Sequence, residues 1–273
     1  MRLGIFAKTF PGSDPRAVLD QVRQAGYQGT QFNTVCAGLD PLPDSIPDSA
    51  IAAIAAAARE SGVVIDSLSG TYNMIHPDIA VRERGRKRLA VMIRAARQLG
   101  VPLVTLCTGT RDPKDQWHFH PDNAKPDAWD DLVVEMGHAL ACAQTEGVDL
   151  GMEPEQANVI TSAPEALRLI SELGSPHLKV VLDPANLFER ASAEEARHIV
   201  AEAVEIIAPH IAMAHAKDRS ADGRFVTVGQ GIVDFPDFIG RLRLAGFDGP
   251  VVTHGLAAAE APAVAAFLRP LLA

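Results

Sequence analysis

The sequence predicts an α/β chain closed into a (β/α)8 barrel, one domain over residues 1–273. Three observations carry that expectation. Short apolar runs alternate with helical patterns eight times, which points to a parallel sheet with its helices outside. The 273 residues match one such barrel, which typically takes ~250. No linker or low-complexity tract marks a second domain, and no Gly-x-Gly-x-x-Gly turn follows the first strand, so the open doubly wound fold ranks second.

The elements follow in order along the chain. Leu3–Ala7 reads as the first strand, and residues 14–24 as a helix with Ser13 as candidate N-cap, Pro15 near its start and Gly26 past its end. Gly29–Asn33 is the second strand, followed by a helix over Asp48–Glu60 that Gly62 closes. The β-branched run Val63–Leu68 is the third strand, and the charged helix Asp78–Leu99 stops at Gly100. Pro102–Cys107 is the fourth strand; a long loop over 108–127 and a helix over Trp129–Glu146 come next. Val148–Met152 is the fifth strand, with the helix Ala163–Leu173 behind it, capped by Ser162 and with Pro164 as its first residue. Leu178–Leu182, the helix Ala193–Ile207 and Ile211–Ala214 supply the sixth strand, its helix and the seventh strand. A second long loop over 217–234 leads to the helix Phe235–Leu244, the eighth strand Pro250–Thr253 and a last helix over Ala257–Leu271.

Hydrophobic residues make up 47% and charged residues 22%, ordinary for a chain that buries a large core. A net charge of -9 argues against nucleic acid or an anionic membrane as partner, since both need a basic footprint. It leaves room for a small anionic substrate held by a few local Arg or Lys. Cys36, Cys107 and Cys142 are scattered, with no CxxC pair, which suits a reducing cytoplasm. The opening apolar run is too short for a signal peptide, and no stretch approaches the ~20 apolar residues of a membrane span. The expected location is cytoplasmic.

In a barrel of this kind the active site forms at the C-terminal ends of the strands. Strand five ends at Glu153, strand six at Asp183, strand seven at His215 and strand eight at His254. A lone Asp or His there is often a helix cap or a loop anchor, and Asp183 before Pro184 suits a turn. Four in succession at equivalent positions converge on one point. Two carboxylates and two imidazoles suit one divalent transition ion such as Mn, Co, Zn or Fe better than Mg or Ca alone.

The segments Gly151-Met152-Glu153-Pro154-Glu155, Leu182-Asp183-Pro184-Ala185-Asn186, His215-Ala216-Lys217-Asp218 and Gly229-Gln230-Gly231-Ile232-Val233-Asp234-Phe235 resemble the xylose isomerase-like TIM-barrel superfamily, in its branch of sugar phosphate isomerases and epimerases. The resemblance runs from the opening strand to the Gly246-Phe247-Asp248-Gly249 turn. It implies a divalent metal held by Glu, Asp, His and a second Glu. The first three fall on Glu153, Asp183 and His215, while His254 stands where the second Glu is expected. It also implies a His three residues after the Asp, where this chain has Asn186. The implied chemistry is proton removal next to a carbonyl with enediolate stabilisation: Glu153 takes the proton, and His254 serves as metal ligand or as a second, neutral base. Isomerisation, epimerisation and dehydration share that first step. The expected partner is a small sugar or polyol, and homo-oligomers are common among such barrels.

His76 and Trp117 lie in loops after strands three and four and are candidates for substrate contact, with loop anchoring the competing reading. Asn186 is a third candidate. Lys217, Arg219 and Arg224 follow the strand-seven histidine, where one can bind a hydroxyl or phosphate; the competing reading is a solvated loop. Arg82, Arg84, Arg86, Lys87 and Arg88 read as a solvated helix face. Glu155 is a candidate neighbour of the metal ligands, and Cys107 lacks a base that would make it a nucleophile. The leading expectation is a metal-dependent sugar or sugar-phosphate isomerase or epimerase. The alternatives are a dehydratase or lyase on a cyclic polyol or keto acid and a non-catalytic sugar-binding barrel. An endonuclease of the same fold is set aside for want of its extra histidines and of a basic face.

Overall fold

The computed structural model describes residues 1–273. The barrel strands and the helices that follow them are β1 (Arg2–Phe6), α1 (Pro15–Gln24), β2 (Gly29–Phe32), α2 (Asp48–Ser61), β3 (Val64–Ser69), α3 (Ile79–Leu99), β4 (Leu103–Cys107) and α4 (Pro126–Glu146). The second half continues with β5 (Asp149–Glu153), α5 (Ala163–Leu173), β6 (Leu178–Leu182), α6 (Ala193–Ile207) and β7 (Ile211–Ala216). A short hairpin of β8 (Asp218–Arg219) and β9 (Phe225–Val226) then precedes α7 (Phe235–Leu244), β10 (Pro250–Thr253) and α8 (Ala261–Leu272). Eight parallel strands close in the order β1-β10-β7-β6-β5-β4-β3-β2, so the predicted (β/α)8 barrel forms, with the hairpin outside it.

Local chemistry sets the boundaries. Asp14, not Ser13, caps α1: its side chain accepts from the Arg16 backbone N–H, and Pro15 occupies the first turn, where a missing N–H costs nothing. Pro126 likewise starts α4 three residues before the expected Trp129. Pro164 sits second rather than first in α5, and the Ser162 side chain makes no capping bond. Ser192 and Glu195 form a reciprocal capping box on α6. The last helix starts later than expected, because Ala258–Glu260 forms a separate 3-10 turn before Pro262. The hairpin was not expected at all, each arm being two residues long.

Most of the core lies between the sheet and the helix ring. Leu103, Val181, Met213 and Val252 form a second cluster from β4, β6, β7 and β10. Met213 also takes a hydrogen bond from the Ser67 hydroxyl of β3, on the other side of the barrel, so this cluster lies in the barrel interior. Because strand side chains alternate faces, this layer fixes what comes two residues later on the same face. Thr105 follows Leu103, Asp183 follows Val181, His215 follows Met213 and His254 follows Val252. The interior thus turns from apolar to polar towards the C-terminal mouth. At the opposite end Arg2 on β1 pairs with the buried Asp66 of β3, Nη2 to Oδ1 2.5 Å. No helix is long and apolar enough to cross a membrane.

Candidate active site

Glu153, Asp183 and His215 meet at the C-terminal mouth, their potential ligand atoms all within 4.8 Å of one another. Asp183 is fully buried, and its Oδ1 accepts from the Ala185 backbone N–H, so the turn-capping role is real. Its Oδ2 has no hydrogen-bond partner. His215 Nδ1 lies 3.2 Å from Glu153 Oε1 and 3.6 Å from Asp183 Oδ2. On the far side of the ring, Nε2 meets Gln31 Oε1 at 2.9 Å across the barrel, and Gln31 in turn donates to Thr105 Oγ1. A carbonyl oxygen only accepts, so Nε2 carries a proton and Nδ1 faces the two carboxylates. Gln31 was not singled out from the sequence.

The electrostatics follow from this geometry. Burial opposes a charged imidazole at His215, but Glu153 and Asp183 outweigh it and raise the pKa to about 9. Burial also opposes ionisation of Asp183; Lys217 and His215 overcome it and hold the carboxyl below its usual range. The His254 ring stacks on His215, with centroids 5.5 Å apart and planes 8° from parallel. It is not among the converging donors. Burial first, then the charges of His215 and Lys217, push its pKa down to about 3, so it is neutral, and its Nδ1 is buried without a partner. Glu155 is raised to about 7 by burial and by Glu153. Burial pushes the Cys107 thiol up, which removes it as a nucleophile.

Asn186 bridges one carboxylate and a cation: Nδ2 donates to Glu153 Oε1 at 2.8 Å, and Oδ1 accepts from Lys217 Nζ at 3.0 Å. Lys217 Nζ also lies 4.0 Å from Asp183 Oδ2. Arg219 is buried beside them and donates from Nη1 to Phe188 O. The loop that carries both is held by Asp218. Its carboxylate accepts from the backbone N–H groups of Arg219, Gly229, Gly231 and Val233, at 2.8–3.1 Å. A Cβ on Gly231 would sit 2.2 Å from Asp218 Oδ1, so only glycine fits. This ties the His-x-Lys-Asp segment to the Gly-x-Gly segment. Arg224 is exposed and pairs with Asp222, a solvated loop residue.

His76 and Trp117 are placed elsewhere. His76 accepts from the Asp78 backbone N–H and reaches Pro113 O, which is loop anchoring. Trp117 is half-exposed, and both line an outer groove of about 450 Å³ with Arg84 and Arg88. None of the three converging donors lines that groove.

The donor set fits a divalent metal. Two carboxylates and an imidazole nitrogen converge, one carboxylate oxygen is left without a partner, and the far imidazole nitrogen is oriented by a hydrogen bond, as metal-bound histidines usually are.

The family described as xylose isomerase-like TIM barrel matches residues 19–271. Sequence comparison with curated proteins finds no match. Among solved structures, the chain is similar to a 3-keto-D-glucoside 4-epimerase from E. coli, with TM-score 0.78 and 18% identity over 99% of each chain. It is similar to an L-ribulose 3-epimerase, with TM-score 0.77 and 19% identity over 99% of this chain and 94% of that one. A D-psicose 3-epimerase from Clostridium cellulolyticum H10 gives TM-score 0.77 and 18% identity over 100% of this chain and 99% of that one. At these identities the likeness is one of fold.

Proposed function

The chain belongs to the xylose isomerase-like TIM-barrel family, and from that premise we propose that it is a metal-dependent sugar isomerase or epimerase. The observation that carries the reading is the convergence of Glu153, Asp183 and His215 at the mouth where this fold places its chemistry. The epimerases of similar fold support the sugar substrate.

Glu153, Asp183 and His215 would hold one divalent ion, chosen from Mn, Co, Zn, Fe or Mg. Bound there, it supplies Lewis-acid stabilisation of the negative charge that develops on a sugar oxygen during proton removal. The chain's own residues do the rest. Glu153 is the most accessible of the three donors and takes the proton from the carbon next to the carbonyl. His254 is neutral with a buried, unpartnered Nδ1 beside the His215 ring, which suits a neutral hydrogen-bond contact with a substrate hydroxyl rather than a charged partner. Asn186 fixes the Glu153 carboxylate and the Lys217 ammonium relative to each other. Gln31 keeps the His215 ring in the tautomer that leaves Nδ1 facing inward.

The test is incubation of the metal-loaded protein with a ketose panel in D2O. Deuterium uptake next to the carbonyl, lost in Glu153→Gln, is expected. No uptake across the panel would reject the reading, and loss of water without uptake would favour a lyase.

A further inference from the structure

Six buried side-chain polar atoms lack a hydrogen-bond partner, and three of them, Asp183 Oδ2, His254 Nδ1 and Arg219 Nε, belong to residues at the C-terminal ends of neighbouring strands. Buried polar atoms are normally satisfied, so a cluster of orphans points to a missing ligand. The first two belong to the metal and proton chemistry above. Arg219 Nε does not. Its side chain is 8% exposed, and its guanidinium makes a single hydrogen bond, to Phe188 O. Lys217 is equally buried. The ring of Phe225, on the outer arm of the hairpin, lies over both cations, 3.7 Å from Lys217 Nζ and 4.2 Å from Arg219 Cζ.

We propose that the substrate is a sugar acid whose carboxylate pairs with Arg219, with Lys217 alongside. This deepens the sugar-isomerase reading and rests on it for the sugar. Charge supports the acid. Lys8, Lys217 and Arg219 stand around the mouth with Glu153, Glu155, Asp183 and, near Arg219, the exposed Glu189. Two of those carboxylates are metal donors. A divalent ion takes up their charge and leaves the cations in excess, inside a protein whose net charge is -9. The kind of anion follows from the donors that remain. A phosphate is commonly cradled by backbone N–H groups of a glycine-rich loop. Here those of Gly229, Gly231 and Val233 are already taken by Asp218. What is left is a planar guanidinium whose fork matches a carboxylate without any help from a backbone cradle; it pairs with phosphate too, so the phosphorylated sugar in the test separates the two.

The test is calorimetric binding to the metal-loaded protein, read without turnover. D-gluconate and D-glucuronate are compared with D-glucose, D-fructose and D-fructose 6-phosphate, in wild type, Arg219→Gln and Arg219→Lys. The acids should bind about tenfold or more tightly than their neutral counterparts. Arg219→Gln should remove that advantage while neutral sugars bind as before, and Arg219→Lys should restore only part of it. Equal binding of acid and neutral sugar, a preference for the phosphorylated sugar, or an acid preference that survives in Arg219→Gln would overturn the proposal. If Arg219→Gln does not fold, the wild-type ranking decides. D-glucuronate, which keeps a carbonyl, binding without deuterium exchange would count against the isomerase reading and not against this one; D-gluconate has no carbonyl and reads binding alone.

Discussion

The loops after β4 and β7 are both long and both pinned at their roots, but they present different chemistry. In the first, Asn123 Oδ1 accepts from the Arg111 backbone N–H and the Thr110 hydroxyl, while its Nδ2 donates to Ala157 O. Asn73 and Asn158 add bonds to Thr110 and Gly109. The tip beyond them carries Trp117 and Phe119, both half-exposed. In the second, one charged side chain, Asp218, takes four backbone N–H groups, and the residues on either side of it, Lys217 and Arg219, are buried beside the converging Glu153, Asp183 and His215. In the first loop the buried anchors are neutral amides, and its own multi-bond carboxylate, Asp112, sits at the surface with the exposed His118. A buried carboxylate is found where the loop must bring two cations into the barrel mouth and hold them there.

Substitutions can break that comparison, starting with the largest effect. Asp218→Ala leaves several buried backbone donors without an acceptor and two buried cations without their frame; a loss of about 3 kcal/mol or more in urea unfolding is expected, along with the carboxylate preference. Asn123→Ala should cost about 2 kcal/mol in the same measurement and leave sugar-acid binding intact, because its loop does not carry the cations. If both variants lose ligand binding equally, the two loops are not functionally different. Phe119→Ser at the exposed tip should change stability by no more than about 0.5 kcal/mol and leave deuterium exchange unchanged.

Much of this was legible in the chain. Strict alternation of apolar runs and helical patterns located all eight barrel strands, because a parallel sheet covered by helices leaves a strong hydrophobic rhythm. Glu153, Asp183 and His215 stood out because polar residues at strand ends interrupt that rhythm where the fold places its chemistry. Gln31 did not. Its value lies in a bond to His215, 184 positions away, and that depends on which residues of β2 and β7 face each other across the barrel. Asp218 was visible as part of a motif, but its partners are backbone N–H groups 11 to 15 residues on, which leave no side-chain signature. His76 and Trp117 were placed after the correct strands, yet the loops turn them outward to the groove beside α3, away from the donors. Loop direction is set by anchors such as Asn73 and Asn123, and no local pattern reveals it.

The central claim is that Glu153, Asp183 and His215 hold a divalent metal, and metal analysis tests it most directly. Wild type and Asp183→Asn are dialysed with Mn, Co and Zn in turn, freed of excess, and measured for bound ion. Asn keeps the volume and the oxygen that caps Ala185 but removes the carboxylate charge. The account predicts about one ion per wild-type chain and little or none in the variant, with both proteins folded. A wild type that stays empty in all three metals, or a variant that holds the ion as well, would contradict it.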